Sequence, residues 1–301
     1  MSELTGMQIQ FWGVRGSIPS PGPDTAQFGG NTPCVEVRNE GEPLIILDAG
    51  SGIRKLGLSI IKDPSVTEIH ILLSHTHWDH IQGLPFFAPL FSPKYTIKLY
   101  GPVHYSKNLE QILSLQMDYT YFPVRVEELA SKLSFHDISE HEFMIGKAGV
   151  KTQFVNHPVV CLTYRIAFNG KTFVYLTDHE PYRNLFDDGD EVNREEGRLV
   201  AAEQTESLIK FIEGADLLCM DAQYTPEEYK SRIGWGHSHV DYTYSAAREA
   251  GVKELILFHH DPDRSDAELQ RILSGLQDRS WSPMSGAVPV RLARERLVIT
   301  L

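Results

Sequence analysis

The sequence predicts a layered α/β fold, with strands and helices alternating around mixed sheets. Three observations carry this. Short apolar runs rich in β-branched residues recur at strand length along the 301 residues. Stretches of helical spacing stand between many of them. Six of the runs end in a carboxylate or an imidazole: Asp48, His75, His157, Asp178, Asp221 and His259. In layered α/β folds, sites gather on loops that a rigid sheet delivers at its strand ends.

Length and composition fit one domain over residues 1–301, with a helical and aromatic insertion at about 103–147. Hydrophobic residues make up 42%, yet no apolar run approaches the roughly 20 residues of a membrane helix. The segment Met1 to Met7 has no basic head and no apolar signal core, so a cytoplasmic protein is expected. Cys34, Cys161 and Cys219 lie far apart beside apolar runs and read as buried free thiols. The formal charge of −12, with no Lys/Arg-rich block, argues against gripping a long nucleic acid. A small anionic substrate at a local cationic site remains compatible.

In chain order, residues 7–11 alternate as an opening strand. The Gly- and Pro-dense segments 13–23 and 28–33 follow. There Arg15, Ser17, Asn31 and Thr32 read either as an oxyanion-binding loop or as ordinary turn chemistry. Residues 32–38 and 43–47 form a strand pair that runs into Asp48. Residues 68–73 are a buried strand, and Ser74-His75-Thr76-His77-Trp78-Asp79-His80 follows at once. Imidazole and carboxylate are the donors that divalent transition metals take. His75 and His77, two apart on an extended turn, reach one ion; Asp79 and His80 suit a second.

This H-x-H-x-D-H motif, with its preceding strand, resembles the metallo-β-lactamase fold superfamily of dinuclear metallohydrolases. The resemblance implies a four-layer αββα fold with two mixed sheets flanked by helices. It covers about residues 7–262. The loops around Arg15 and Asn31 resemble the opening of phosphodiesterase-like members. Asp48 matches an Asp that supports the metal ligands from behind.

The remaining segments follow in chain order. Residues 106–117 and 125–133 have helical spacing, and the aromatic stretch 117–123 between them reads as a pocket roof or as ordinary packing. His104, His136 and His141 stand in polar surroundings and read as solvated. His157 ends a strand and matches the family's next ligand. Asp178 matches its bridging carboxylate; His179 has no matching ligand role. Asp187 to Glu191 reads as a solvated acidic loop, and residues 195–213 as a helix closed by Gly214. Thr225 opens a capped helix. Gly234-Trp235-Gly236-His237-Ser238-His239 resembles the tRNA 3′-end-processing nuclease branch, where the match to His237 serves as general acid. His239 has no such match. A last strand, 253–258, ends in His259-His260; the family pattern places the final ligand at His259, with His260 the other candidate.

The resemblance therefore implies one ion on His75, His77 and His157, another on Asp79, His80 and His259, and Asp178 between them. The ions are Zn, Mn or Fe. They would share a hydroxide that attacks phosphorus, with His237 protonating the leaving group and Asp221 orienting its ring. Two divalent ions set against Asp79, Asp178 and a hydroxide leave about +1, which suits a monoanionic phosphodiester. The expected protein is a metal-dependent phosphodiesterase acting on small diesters, cyclic nucleotides foremost. An RNA 3′-end nuclease, another ester hydrolase of the fold and a non-catalytic nucleotide-binding metal protein are the alternatives. A homodimer is expected from the resemblance alone.

Overall fold

The computed structural model describes residues 6–184, 190–280 and 287–301. The first half of the chain lays down β1 (Gln8–Gly13), β2 (Cys34–Arg38), β3 (Leu44–Leu47), β4 (Glu68–Leu72), β5 (Thr96–Pro102) and β6 (Lys132–Ile138). The second half adds β7 (Glu142–Ile145), β8 (Ala148–Val155), β9 (Cys161–Phe168), β10 (Lys171–Leu176), β11 (Leu217–Asp221), β12 (Leu255–Phe258) and β13 (Val290–Leu292). A last strand, β14 (Val298–Thr300), returns to pair with β1. The result is two mixed seven-stranded sheets, ordered β14-β1-β2-β3-β4-β5-β6 and β13-β12-β11-β10-β9-β8-β7.

Period-two side-chain alternation builds the layers. On β3, Ile45 and Leu47 face the space between the sheets, whereas Leu44 and Ile46 face outward. On β12, Ile256 and Phe258 point inward and Leu255 and Leu257 outward. Helices cover both outer faces. α1 (Ile53–Ile60) and α3 (Leu109–Gln116) lie over the first sheet. α4 (Glu191–Ile212), α6 (Val240–Glu249) and α7 (Asp266–Ser280) lie over the second. Two four-residue turns, α2 (Trp78–Ile81) and α5 (Pro226–Tyr229), stand on connecting loops. This is the four-layer arrangement.

β3, β4 and β5 are parallel, as are β10, β11 and β12. β8 shares the sense of β10 through the antiparallel β9. Their C-terminal ends carry Asp48, His75, His157, Asp178, Asp221 and His259.

Several boundaries differ from the sequence reading. The helix expected at 125–133 is a single 3-10 turn (Val126–Glu128) followed by β6. Pairing along the whole length of β5 decides that segment, against its helical spacing. The segment 103–147 thus contributes an edge strand to each sheet beside α3. Within it Phe122 packs edge-on to Phe86, while Tyr121 is 78% exposed. Of the three histidines read as solvated, His104 is half-buried and lies 3.4 Å from the Thr76 hydroxyl. α4 starts a turn before residue 195, because Asp190 caps it by accepting from Val192 N at 2.8 Å. The rest of the acidic loop, 187–189, lies outside the described residues. All three cysteines are buried and free. Among the described residues, no helix is long and apolar enough to cross a membrane.

Candidate dinuclear metal centre

The strand ends converge on three overlapping groups of donors, the third being Asp178, Asp221, His237 and His259; the first two form nests without His237. His75, His77, His157 and Asp178 make one; Asp79, His80, Asp178 and His259 make the other. Within each, the donor atoms lie within 4.8 Å of one another. Asp178 belongs to both. Its Oδ2 lies 3.6 Å from His75 Nε2 and 3.7 Å from His157 Nε2. Its Oδ1 lies 3.2 Å from both His80 Nε2 and His259 Nε2. Asp79 Oδ2 closes the second nest at 3.3 Å from His80 Nε2 and 3.2 Å from His259 Nε2.

Groups behind each ring fix which nitrogen faces inward. Nδ1 of His80 donates to Asp48 Oδ2 at 2.8 Å. Nδ1 of His157 donates to the Gly236 carbonyl at 3.0 Å. His259 Nδ1 lies 3.2 Å from Gln223 Oε1. Asp48 is itself tied down: it accepts from Ser74 N at 2.7 Å and from the Tyr175 hydroxyl at 2.8 Å. Asp48 and His259 have left-handed backbones, with φ of 60° and 58°. So does Ser17, at φ 63°, whose N–H donates to Asp79 Oδ2 at 2.8 Å. Backbone strain concentrates where side chains must be aimed.

The residues fit a pair of divalent ions. Nε2 of His75 and of His80 are buried and make no hydrogen bond. A buried polar atom left bare is costly, and a cation between these nitrogens and the carboxylates satisfies it. Burial pushes His75 well down and His157 to about 4, which keeps both neutral, the form that ligates. Burial alone would raise Asp178, but His259, His80 and His75 hold it well below the usual carboxylate range.

His237 stands against this centre. Its ring stacks on His259 with centroids 4.9 Å apart, and its Nδ1 lies 2.8 Å from Asp221 Oδ2. Burial opposes its charge, yet Asp221 and Asp178 hold it up to about 9. Asp221 in turn accepts from Gln223 N at 3.0 Å. The loop carrying His237 is pinned by Glu180, which accepts from Gly234 N at 2.7 Å and Gly236 N at 2.9 Å. Gly236 has φ +87°, and a Cβ there would sit 2.3 Å from His157 Nδ1. Only glycine lets the loop approach so closely.

The structure brings together every ligand expected from the sequence, with His237 and Asp221 beside them. It corrects the oxyanion reading of the glycine-rich loops. Arg15 is fully buried and donates to three backbone carbonyls, those of Gly29, Asp261 and Arg264, at 2.8–3.2 Å. Asn31 Nδ2 donates to Glu295 Oε1, and the Thr32 hydroxyl accepts from Ser51 N at 2.8 Å. These three fasten the loops; Ser17 alone of the four is exposed. His260 turns away and bonds the Ala293 carbonyl at 2.8 Å, which leaves His259 as the inward ring. His239 caps α6 by accepting from Tyr242 N at 3.3 Å. His179 is buried, with Nε2 3.2 Å from the Tyr242 hydroxyl. Ser74, Tyr175, Glu180 and Gln223 escaped the sequence reading, since each acts only through a neighbour brought close by the fold.

A family model described as "Beta-lactamase superfamily domain" matches residues 44–260. Ribonuclease Z of Lactococcus lactis subsp. lactis (strain IL1403) is 26% identical over 289 residues, covering 84% of this chain and 88% of the relative. The metallo-beta-lactamase fold protein YhfI from Bacillus subtilis superposes with a TM-score of 0.66 at 20% identity, over 97% of this chain and 99% of that one. A diphosphatase from the PhnP family gives 0.63 at 19% identity, over 98% of each chain.

Proposed function

The chain belongs to the beta-lactamase superfamily, a family of metallohydrolases, and we propose that it is a dinuclear metal-dependent phosphodiesterase. His75, His77 and His157 would hold one ion, and Asp79, His80 and His259 the other, with Asp178 shared. Zn, Mn and Fe all accept such donors. Bound there, two divalent ions supply a Lewis acid for a phosphoryl oxygen and a nucleophile at neutral pH.

The observation that carries the reading is the His237–Asp221 pair beside the nests. Breaking a phosphodiester expels an alkoxide, which needs a proton. Asp221 takes the Nδ1 proton of His237 in a hydrogen bond, so Nε2 is the atom left to hold and deliver one. The hydrogen bond to Asp221 favours the protonated form of the ring. Small diesters, including 3′,5′-cyclic nucleotides, suit the acidic chain. The second reading is RNA 3′-end processing. It is favoured by the relative named Ribonuclease Z and weakens any argument against nucleic acid from net charge alone.

The test is product formation by metal-loaded enzyme from bis(p-nitrophenyl) phosphate, 3′,5′-cyclic AMP, 3′,5′-cyclic GMP and a tRNA precursor. Cleavage of the aryl diester with either class supports the reaction and picks the substrate. No cleavage of any, with both ions bound, refutes it.

A further inference from the structure

A cation and an exposed aromatic ring stand just beyond the general acid, in neither nest. Tyr224 is buried and meets the His237 ring edge-on, with centroids 5.9 Å apart. The Arg232 guanidinium lies 4.8 Å from the Tyr224 centroid and 5.8 Å from that of Trp235. Laid end to end, the first two steps put the guanidinium within about 11 Å of His237. The Arg232 side chain makes one long ion pair, 3.4 Å to Asp261 Oδ2, and no other hydrogen bond among the described residues. Arginine carries five N–H donors in a planar fork, so most of them have no hydrogen-bond partner among the described residues, and the side chain is 33% exposed. Trp235 is 60% exposed. The loop that presents both is rigid, held by Glu180 through Gly234 N and Gly236 N.

We infer that Arg232 and Trp235 form a subsite for the leaving side of the substrate, and that this side carries a further nucleotide unit. The inference rests on the phosphodiesterase reading and on His237 as the proton donor. Whatever the leaving oxygen belongs to must then lie on the His237 side of the centre, with the Arg232 guanidinium within about 11 Å of that ring. There the guanidinium offers a fork for a phosphate, and the indole a face for a base; each matches one half of a nucleotide. A cyclic mononucleotide has one phosphate only, so with that phosphate at the metal centre it leaves the guanidinium fork empty. The geometry therefore favours a linear diester over a cyclic one.

The experiment compares kcat/KM for a 3′,5′-linked trinucleotide with that for bis(p-nitrophenyl) phosphate, which has no second phosphate. Wild type, R232A, R232K, W235A and W235F are used, each loaded with metal and checked for metal content and thermal midpoint. The expected result is a 10- to 100-fold fall in the trinucleotide-to-aryl ratio for R232A and W235A, borne by KM. R232K and W235F should recover part of it. An unchanged ratio overturns the subsite, as does a parallel fall on both substrates with loss of metal. If the wild type cleaves the aryl diester but not the trinucleotide, the subsite alone fails. If it cleaves neither, the phosphodiesterase reading fails with it.

Discussion

Nε2 of His157 lies 3.1 Å from Nδ1 of His77, although the chain positions are 80 residues apart. The proton of His157 is committed to the Gly236 carbonyl, so its lone pair faces His77. A cation between the two nitrogens lets both rings stay neutral and turn their lone pairs inward. Binding that favours the folded chain raises its stability by mass action. Stripping divalent ions with a chelator should lower the thermal midpoint by roughly 5 °C or more, and Zn or Mn should restore it. An unchanged midpoint, with measured loss of metal, would contradict this arrangement.

Asp48 accepts from Ser74, His80 and Tyr175 at once. Asparagine tolerates the left-handed backbone at this position but removes the charge. Asp48→Asn should therefore keep the fold and weaken metal binding about 10- to 100-fold. Competition with a coloured chelator measures it. Native affinity in the variant would mean that Asp48 is only a strand cap.

His237→Ala should retain both ions, since it removes no member of the two nests assigned to them, although His237 shares a third donor group with Asp178, Asp221 and His259. Turnover of a phosphodiester should fall about 10²- to 10⁴-fold. Metal content by elemental analysis, beside kcat, separates the two effects. Normal kcat in this variant would rule out His237 as the proton donor.

Arg15 is a strut. Arg15→Ala strands three buried carbonyls and should cost about 3 kcal/mol of stability. Arg15→Lys should rescue little, because an ammonium cannot span the same fork. Chemical denaturation reads the loss. If KM for substrate moved while stability did not, the oxyanion role would return.

Gly236→Ala places a Cβ 2.3 Å from His157 Nδ1, at φ +87°. The ring and the loop cannot both keep their places. The variant should lose about one metal equivalent and most of its turnover, and a tight two-metal variant would show that the loop has room to yield.

The H-x-H-x-D-H turn was legible because its donors are adjacent in sequence. The strand endings at His157, Asp178 and His259 were legible because a buried strand that stops at a ligand leaves an abrupt change of polarity. The choice between His259 and His260 was not, since either ring can end a strand, and the Ala293 carbonyl that claims His260 comes from a distant segment. Arg15 misled for a related reason. An arginine in a glycine-rich loop reads as an anion binder until the carbonyls that saturate it are seen. β6 was hidden by its helical spacing, because an edge strand buries few residues and is fixed by its partner β5. Glu180 and Gln223 left no local pattern at all.

The four donors around His77 come from the first sheet and the others from the second. Asp79 and His259, which meet in one nest, are 180 residues apart. An ion held there is a removable cross-link between distant parts of the chain, and closing a long loop restricts the unfolded chain most. This protein has three buried thiols and no disulfide among its described residues. Its tether is thus set by metal supply and not by redox state: a chain starved of ions keeps its sheets but loses the rivet at their common rim.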